Sequence, residues 1–151
     1  MIPEAICPGP QVAVGAIVVH EERILLVQRR NPPSALYWAI PGGRQRLGET
    51  MQAAAEREIL EETGIIIRAA EPIYTTEYIE RDAQGHLRFH YTIVDLAADY
   101  LDGIPKAADD ALRADWVAWA ELPGRNINRS SQIALRRLFP AQTAGRLQES
   151  I

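Results

Sequence analysis

Apolar and polar positions alternate along the chain in two rhythms. "QVAVGAIVVH" (Gln11 to His20) is a nearly unbroken apolar, β-branched run, and it predicts a buried strand. "EER" is a short turn, and "ILLVQRR" (Ile24 to Arg30) predicts the hairpin partner. In "NPPSALYW" two prolines enforce a loop, and "AIPGG" is a short extended piece ending in a glycine pair. The rhythm then changes to that of a helix from Thr50 to Thr63. Thr50 is placed to cap its start, and Gly64 to end it at the C′ position.

"IIIR" opens another strand, separate from the next. "IYTTEYIERD" (Ile73 to Asp82) and "HLRFHYTIVDLAA" (His86 to Ala98) flank "AQG" and predict a long hairpin. "DWVAWAEL" (Asp115 to Leu122) predicts a strand running into a turn. "SSQIALRRLF" (Ser130 to Phe139) predicts a second helix capped by serine. The tail, from about residue 141 to residue 151, lacks a pattern and is expected to fray. Many strands with two well-separated helices predict an α/β fold: a mixed sheet packed between helices.

Composition narrows the classes. At 151 residues the chain suits one domain with a real core. The formal net charge of −4 argues against a protein that grips nucleic acid through a basic surface. Cys7 is the only cysteine, so neither an intrachain disulfide nor a thiolate cluster is expected. No run reaches the length of apolar residues that a membrane span needs, and no leader-like stretch opens the chain. A cytoplasmic protein that does not bind membranes is the expectation.

The chemistry concentrates in "EREILEETGI", Glu56 to Ile65. At 100° per residue, Glu58, Glu61 and Glu62 fall within an arc of about 100°. Like charges at i,i+3 and i,i+4 cost roughly 0.2–0.5 kcal/mol each. The negative end of the helix dipole disfavours Glu61 and Glu62 by about 0.3–1 kcal/mol apiece. A solvated acidic face is the plain alternative. A bound divalent cation would remove both penalties, and clustered carboxylate oxygens suit hard cations such as Mg²⁺ or Mn²⁺.

The spacing is more specific still. From Gly43 it runs five residues to Glu49, seven more, and then "REILEETGI", Arg57 to Ile65. This resembles the signature of the Nudix hydrolases, Gly-x5-Glu-x7-Arg-Glu-U-x-Glu-Glu-x-Gly-U with U aliphatic, at every fixed position. The resemblance implies a Nudix-type α/β/α sandwich with a mixed sheet, in which the signature forms a loop, a helix and a loop. It implies Mg²⁺- or Mn²⁺-dependent cleavage of a nucleoside diphosphate linked to another group. Glu58, Glu61 and Glu62 would hold metal, with the Gly43 carbonyl as a further ligand. Arg57 would orient the glutamates, and Glu49 would support the loop or join the metal shell. Glu58, Glu61 or Asp115 would act on the attacking water, with Asp109 and Asp110 as weaker candidates. Arg29 and Arg30 are candidate phosphate contacts. Tyr37 is a candidate stacking residue, as are Phe89 and Tyr91, which share a strand face.

The segments Arg81 to Ala98 and Asp109 to Leu122 are similar to those of small bacterial ADP-ribose pyrophosphatase-like members. ADP-ribose or a similar nucleotide sugar is therefore the expected substrate. An oxidised nucleoside triphosphate of the 8-oxo-dGTP kind is the rival substrate, and a nucleotide-sensing module without catalysis is the rival class. A homodimer is among the assemblies left open.

Overall fold

The computed structural model describes residues 9–148. In chain order the strands are β1 (Gln11–His20), β2 (Arg23–Arg29), β3 (Trp38–Ala39), β4 (Gly42–Arg44), β5 (Ile66–Arg81), β6 (Leu87–Asp102) and β7 (Ala111–Ala118). The helices are α1 (Met51–Thr63), α2 (Arg129–Leu138) and the short α3 (Pro140–Thr143), with a 3₁₀ turn at Trp119–Gly124.

β1 organises the sheet. Along one edge it runs parallel to β6, from Gln11 opposite Tyr91 to Val18 opposite Ala98. Its other edge is shared: Ala13 to Gly15 pair antiparallel with β4, and Val19 and His20 pair with β2. β2 continues to β3 and β7, and β6 to β5, all antiparallel. The sheet is therefore mixed, as expected.

Side-chain alternation divides the core between two helical layers. Ala16 and Val18 of β1 and Leu25 of β2 pack with Ile59 of α1. Ile17, Ile24 and Leu26 face the other way and pack with Val117, Leu122 and Leu135 of α2. The layered sandwich thus follows from a two-residue period in β1 and β2.

α1 is closed at both ends as its sequence predicts. The Thr50 side chain accepts from Ala53 N, and Gly64 adopts φ 72°, a left-handed conformation that glycine enters without strain. The last carbonyls are satisfied from outside the helix. Lys106 N donates to Thr63 O at 2.8 Å, and Ala108 N to Glu62 O at 3.1 Å. The segment after β6 is thereby fastened to the end of α1.

Four expectations are corrected. β5 is one strand from Ile66 to Arg81; its register shifts between Ala69 and Tyr74, around Pro72, without breaking the pairing with β6. β7 begins at Ala111, before Asp115. α2 is capped by Asn128, whose side chain accepts from Ser131 N, and not by Ser130. The tail is folded as far as it is described. Thr143 is buried, Leu147 packs on the α2-side core, and Arg136 donates to the Gln148 carbonyl; residues 149–151 lie outside the described residues.

Candidate active site

β4 and α1 meet where the first layer of helix crosses the sheet edge. Ala54, Ala55 and Ile59 are fully buried there, and the 3.6-residue repeat carries Glu58 and Glu62 along the same packed side. The acids are consequently not a solvated face. Glu62 is 3% exposed, and its Oε1 accepts from Gly42 N at 3.0 Å. Leu60, on the opposite side of the helix, is exposed.

Arg57 ties this region together. Its Nε and one terminal nitrogen hold both oxygens of Glu49, at 2.6 and 2.9 Å. Its other terminal nitrogen donates to Glu58 Oε1 at 2.8 Å and Glu61 Oε2 at 3.3 Å. The terminal nitrogen that holds Glu49, Nη2, also donates to the Arg44 carbonyl at 3.1 Å. Glu49 in turn accepts from Arg46 N at 2.9 Å. The loop between β4 and α1 is therefore shaped by one guanidinium and one carboxylate. The Arg57 hydrogen bonds, with the Arg46 amide, hold Glu49 down at about 2.

Glu58 and Glu62 behave oppositely. Burial raises Glu58 despite its bond to Arg57. Burial first, then repulsion from Glu58, pushes Glu62 up to about 8. Asp110 adds to the repulsion on both. These two acids are crowded and desolvated, and Arg57 meets Glu58 alone of the pair.

They open onto a cleft of about 910 Å³, within the usual size of a small-molecule site, roughly 300–1,000 Å³. Glu58 and Glu62 of α1 line one side of it with Gly43, Arg29 and Asp110, here called the rim, and Phe89 and Tyr91 of β6 line the sheet side, its floor. The two aromatic rings are stacked with centroids 6.2 Å apart, so their shared face is the cleft wall and not the core.

Other sequence candidates lie elsewhere. Asp115 is a correction: it is not a cleft residue, because β7 directs it to Arg125 at 2.8 Å and Arg113 at 3.3 Å. Both arginines also lie over the buried Trp38 ring, so this cluster is a packed clamp. Arg30 points away and donates to the Asp109 carbonyl, and Tyr37 is exposed outside the cleft. Glu61 pairs with Arg57 and lies 4.0 Å from Arg46, off the cleft lining. Glu49 has both oxygens engaged by Arg57, which fits loop support and not a metal shell.

Sequence reasoning missed Asp95 and Thr76 on the floor. Asp95 is 3% exposed, and burial pushes it up to about 7. Its signal was present: one charged residue inside the apolar run "HYTIVDLAA".

Among the described residues, no three acidic or histidine side chains form a ready-made cation cage. The donors nonetheless fit a hard cation. Glu58 and Glu62 supply crowded, desolvated carboxylate oxygens, and the backbone at Gly43 closes on Glu58. A Cβ at Gly43 would lie 2.4 Å from the Glu58 carboxyl carbon, so only glycine leaves this cradle open.

Known proteins agree with this architecture. The NUDIX domain family matches residues 9–138. An ADP-ribose pyrophosphatase of Methanocaldococcus jannaschii is 37% identical over 114 residues, covering 76% of this chain and 65% of that protein. A putative 8-oxo-dGTP diphosphatase of Bacillus subtilis is 53% identical over 49 residues, covering 32% of this chain and 31% of that protein. The chain thus spans less than two thirds of the length of these curated relatives. The crystal structure of a MutT NUDIX hydrolase from Burkholderia pseudomallei superposes with a TM-score of 0.74 at 30% identity. It covers 86% of this chain and 98% of that one.

Proposed function

The chain belongs to the Nudix family, and on that premise we propose that it is a divalent-metal-dependent hydrolase of nucleoside diphosphate derivatives, with ADP-ribose as substrate. The observation that carries the reaction class is the pair Glu58 and Glu62. Both are buried against the sheet, both are raised by burial, and both line a nucleotide-sized cleft beside the open backbone of Gly43.

In this reading Glu58 and Glu62, with the Gly43 carbonyl, hold Mg²⁺ or Mn²⁺. The bound ion supplies charge neutralisation at the diphosphate oxygens and a more acidic attacking water. Arg57 keeps Glu58 and Glu61 oriented from behind. Arg29 lines the rim and meets phosphate. Glu58 receives the proton of the attacking water, in preference to the distant Asp115. Asp110 adds negative potential at the same rim. Glu61 serves through Arg57 and Arg46, outside the first contact with substrate.

ADP-ribose is supported by the archaeal relative, whose match extends over most of this chain. The rival, an oxidised purine triphosphate, is supported by the more identical but shorter match to the B. subtilis protein. The test is product analysis with Mg²⁺ present: ADP-ribose should yield AMP and ribose phosphate, and EDTA should stop the reaction. If 8-oxo-dGTP exceeds ADP-ribose in kcat/KM by more than about tenfold, a gap of about 1.4 kcal/mol, the sanitising reading replaces this one. If a nucleotide binds and nothing is cleaved, the chain is a sensor.

A further inference from the structure

β5 is the outermost strand of its sheet. Among the described residues its only hydrogen-bonded neighbour strand is β6. Near its start the backbone is also served by α1: Glu56 accepts from Ala69 N, and Gln52 donates to Ala70 O. Among the described residues no side chain serves the backbone from Ile73 to Glu80 in this way, so that edge is open. An open edge presents a row of unpaired N–H and C=O groups, a template for another strand. Proline and irregular pairing blunt such edges, but here both stand at Pro72, before the stretch begins.

The same stretch is the least supported part of the sheet. β1 reaches β6 only as far as Tyr91, which lies opposite Tyr78 of β5. Beyond that point the sheet is a two-stranded ribbon, a form of marginal stability by itself. Along β5 the odd-numbered residues Ile73, Thr75, Glu77 and Ile79 are exposed, and the even-numbered ones are half-buried. Ile79 is 52% exposed, and Leu87 across the turn is 51% exposed.

The sequence of this edge complements itself. Paired antiparallel with its own copy about Thr76, it sets Ile73 against the second copy's Ile79 on the exposed face. Tyr74 then meets the second copy's Tyr78 on the other face, and Glu77 meets Thr75. The same register carries Glu71 towards the second copy's Arg81, and among the described residues neither has an ion-pair partner within its own chain. Other registers lose this match. An axis at Glu77 puts that acid against itself, and an axis at Thr75 sets Ile73 against Glu77 and Ile79 against Glu71. A slip by one residue sets the exposed face against the half-buried one.

We propose that the open edge of β5, Ile73 to Glu80, pairs antiparallel with the same edge of a second copy of this chain, about a two-fold axis through Thr76. The two sheets become one across the axis, and each ribbon gains a third and a fourth strand. A two-fold contact uses every pair twice and closes on itself, so the edge is consumed and no further copy can add. The pairing is independent of what the cleft binds.

The first test is the mass of the full chain in solution, by light scattering or sedimentation at micromolar concentration. It should be twice the 16.8 kDa of one chain. A monomer overturns the proposal, and this arm needs no variant to fold. Ile79→Lys places a charge at an exposed position on the edge. Its circular dichroism should match wild type, and its dimer should dissociate with a Kd raised about tenfold or more, the scale of two lost cross-strand pairs. An unchanged Kd would put the contact on another face and overturn the proposal. Glu71→Arg and Arg81→Glu, made singly, each oppose like charges and should raise Kd about threefold or more. Made together they exchange the charges and should bring Kd back to within about twofold of wild type. A double variant no tighter than the single ones overturns the pairing about Thr76.

Discussion

The two sides of the cleft are built on opposite plans. At the rim a single guanidinium engages three carboxylates, and even the buried Glu62 has a backbone amide. On the floor, among the described residues, the Thr76 hydroxyl has no hydrogen bond, and burial alone acts on the Asp95 carboxyl. Paired charges shape a site before anything enters it, whereas unpaired ones wait for the group that completes them. On the proposed reading, the rim is the side that meets the diphosphate.

The sharpest break in this comparison is Glu62→Gln. The amide oxygen still accepts from Gly42 N, so the fold is expected to stand, and the apo protein should melt no lower than wild type. Loss of the anionic ligand should reduce kcat/KM by roughly 10³-fold. Near-normal turnover at ordinary Mg²⁺ concentrations would remove Glu62 from the machinery.

Arg57→Ala tests the pairing itself. It leaves the desolvated Glu58 without its cation, at a cost of about 3 kcal/mol. At roughly 2–4 °C per kcal/mol for a chain of this size, thermal denaturation should show a drop of about 6–12 °C. A shift below about 2 °C would mean that the network contributes little to stability.

Gly43→Ala asks whether the cradle is as tight as its geometry indicates. The new methyl must displace the Glu58 carboxyl. A loss of about 10–100-fold in kcat/KM is expected, with a destabilisation of about 1–3 kcal/mol. Full activity would show that the backbone yields.

The gentlest probe is pH. Glu62, at about 8, and Asp95, at about 7, both lie above their unfolded values, so the folded chain binds more protons. Their stabilising contribution is complete below the unfolded carboxylate range and disappears as pH rises through 7 and 8. In EDTA the melting temperature should therefore fall by a few degrees between pH 5 and 8, and Glu62→Gln should flatten the slope. Glu49, at about 2, acts the other way, but only in acid, as pH falls from its unfolded value toward 2. A melting temperature that climbs steadily from pH 5 to 8 would contradict these assignments.

The rim was legible because it is local. Gly43, Glu49, Arg57, Glu58 and Glu62 lie within one contiguous stretch, where helical spacing alone puts acids side by side. The full reach of Arg57 was not legible, since it depends on how the preceding loop folds back. The floor was obscure for the same kind of reason: Gly15, Thr76 and Asp95 come from three strands and meet only through sheet register. Asp115 misled because the family resemblance implies an acid in that region. Pairing of β7 with β2 gives it an arginine clamp instead of the cleft. The apparent gap before Ile73 came from Pro72, which removes a ladder hydrogen bond without ending the strand.

The fastening of the segment after β6 onto the end of α1 has a consequence for anyone who would redesign the substrate range. That segment leads directly to Asp110 at the rim, and it looks like a convenient place for inserting residues. Yet its amides at Lys106 and Ala108 serve as the terminal plug of the helix that carries Glu58 and Glu62. An insertion between Gly103 and Asp110 would pull that plug and loosen the rim together with the loop. The turn Asp82 to His86, closed by its own hydrogen bonds at the far end of the β5–β6 hairpin, carries no such duty. Grafted loops belong there.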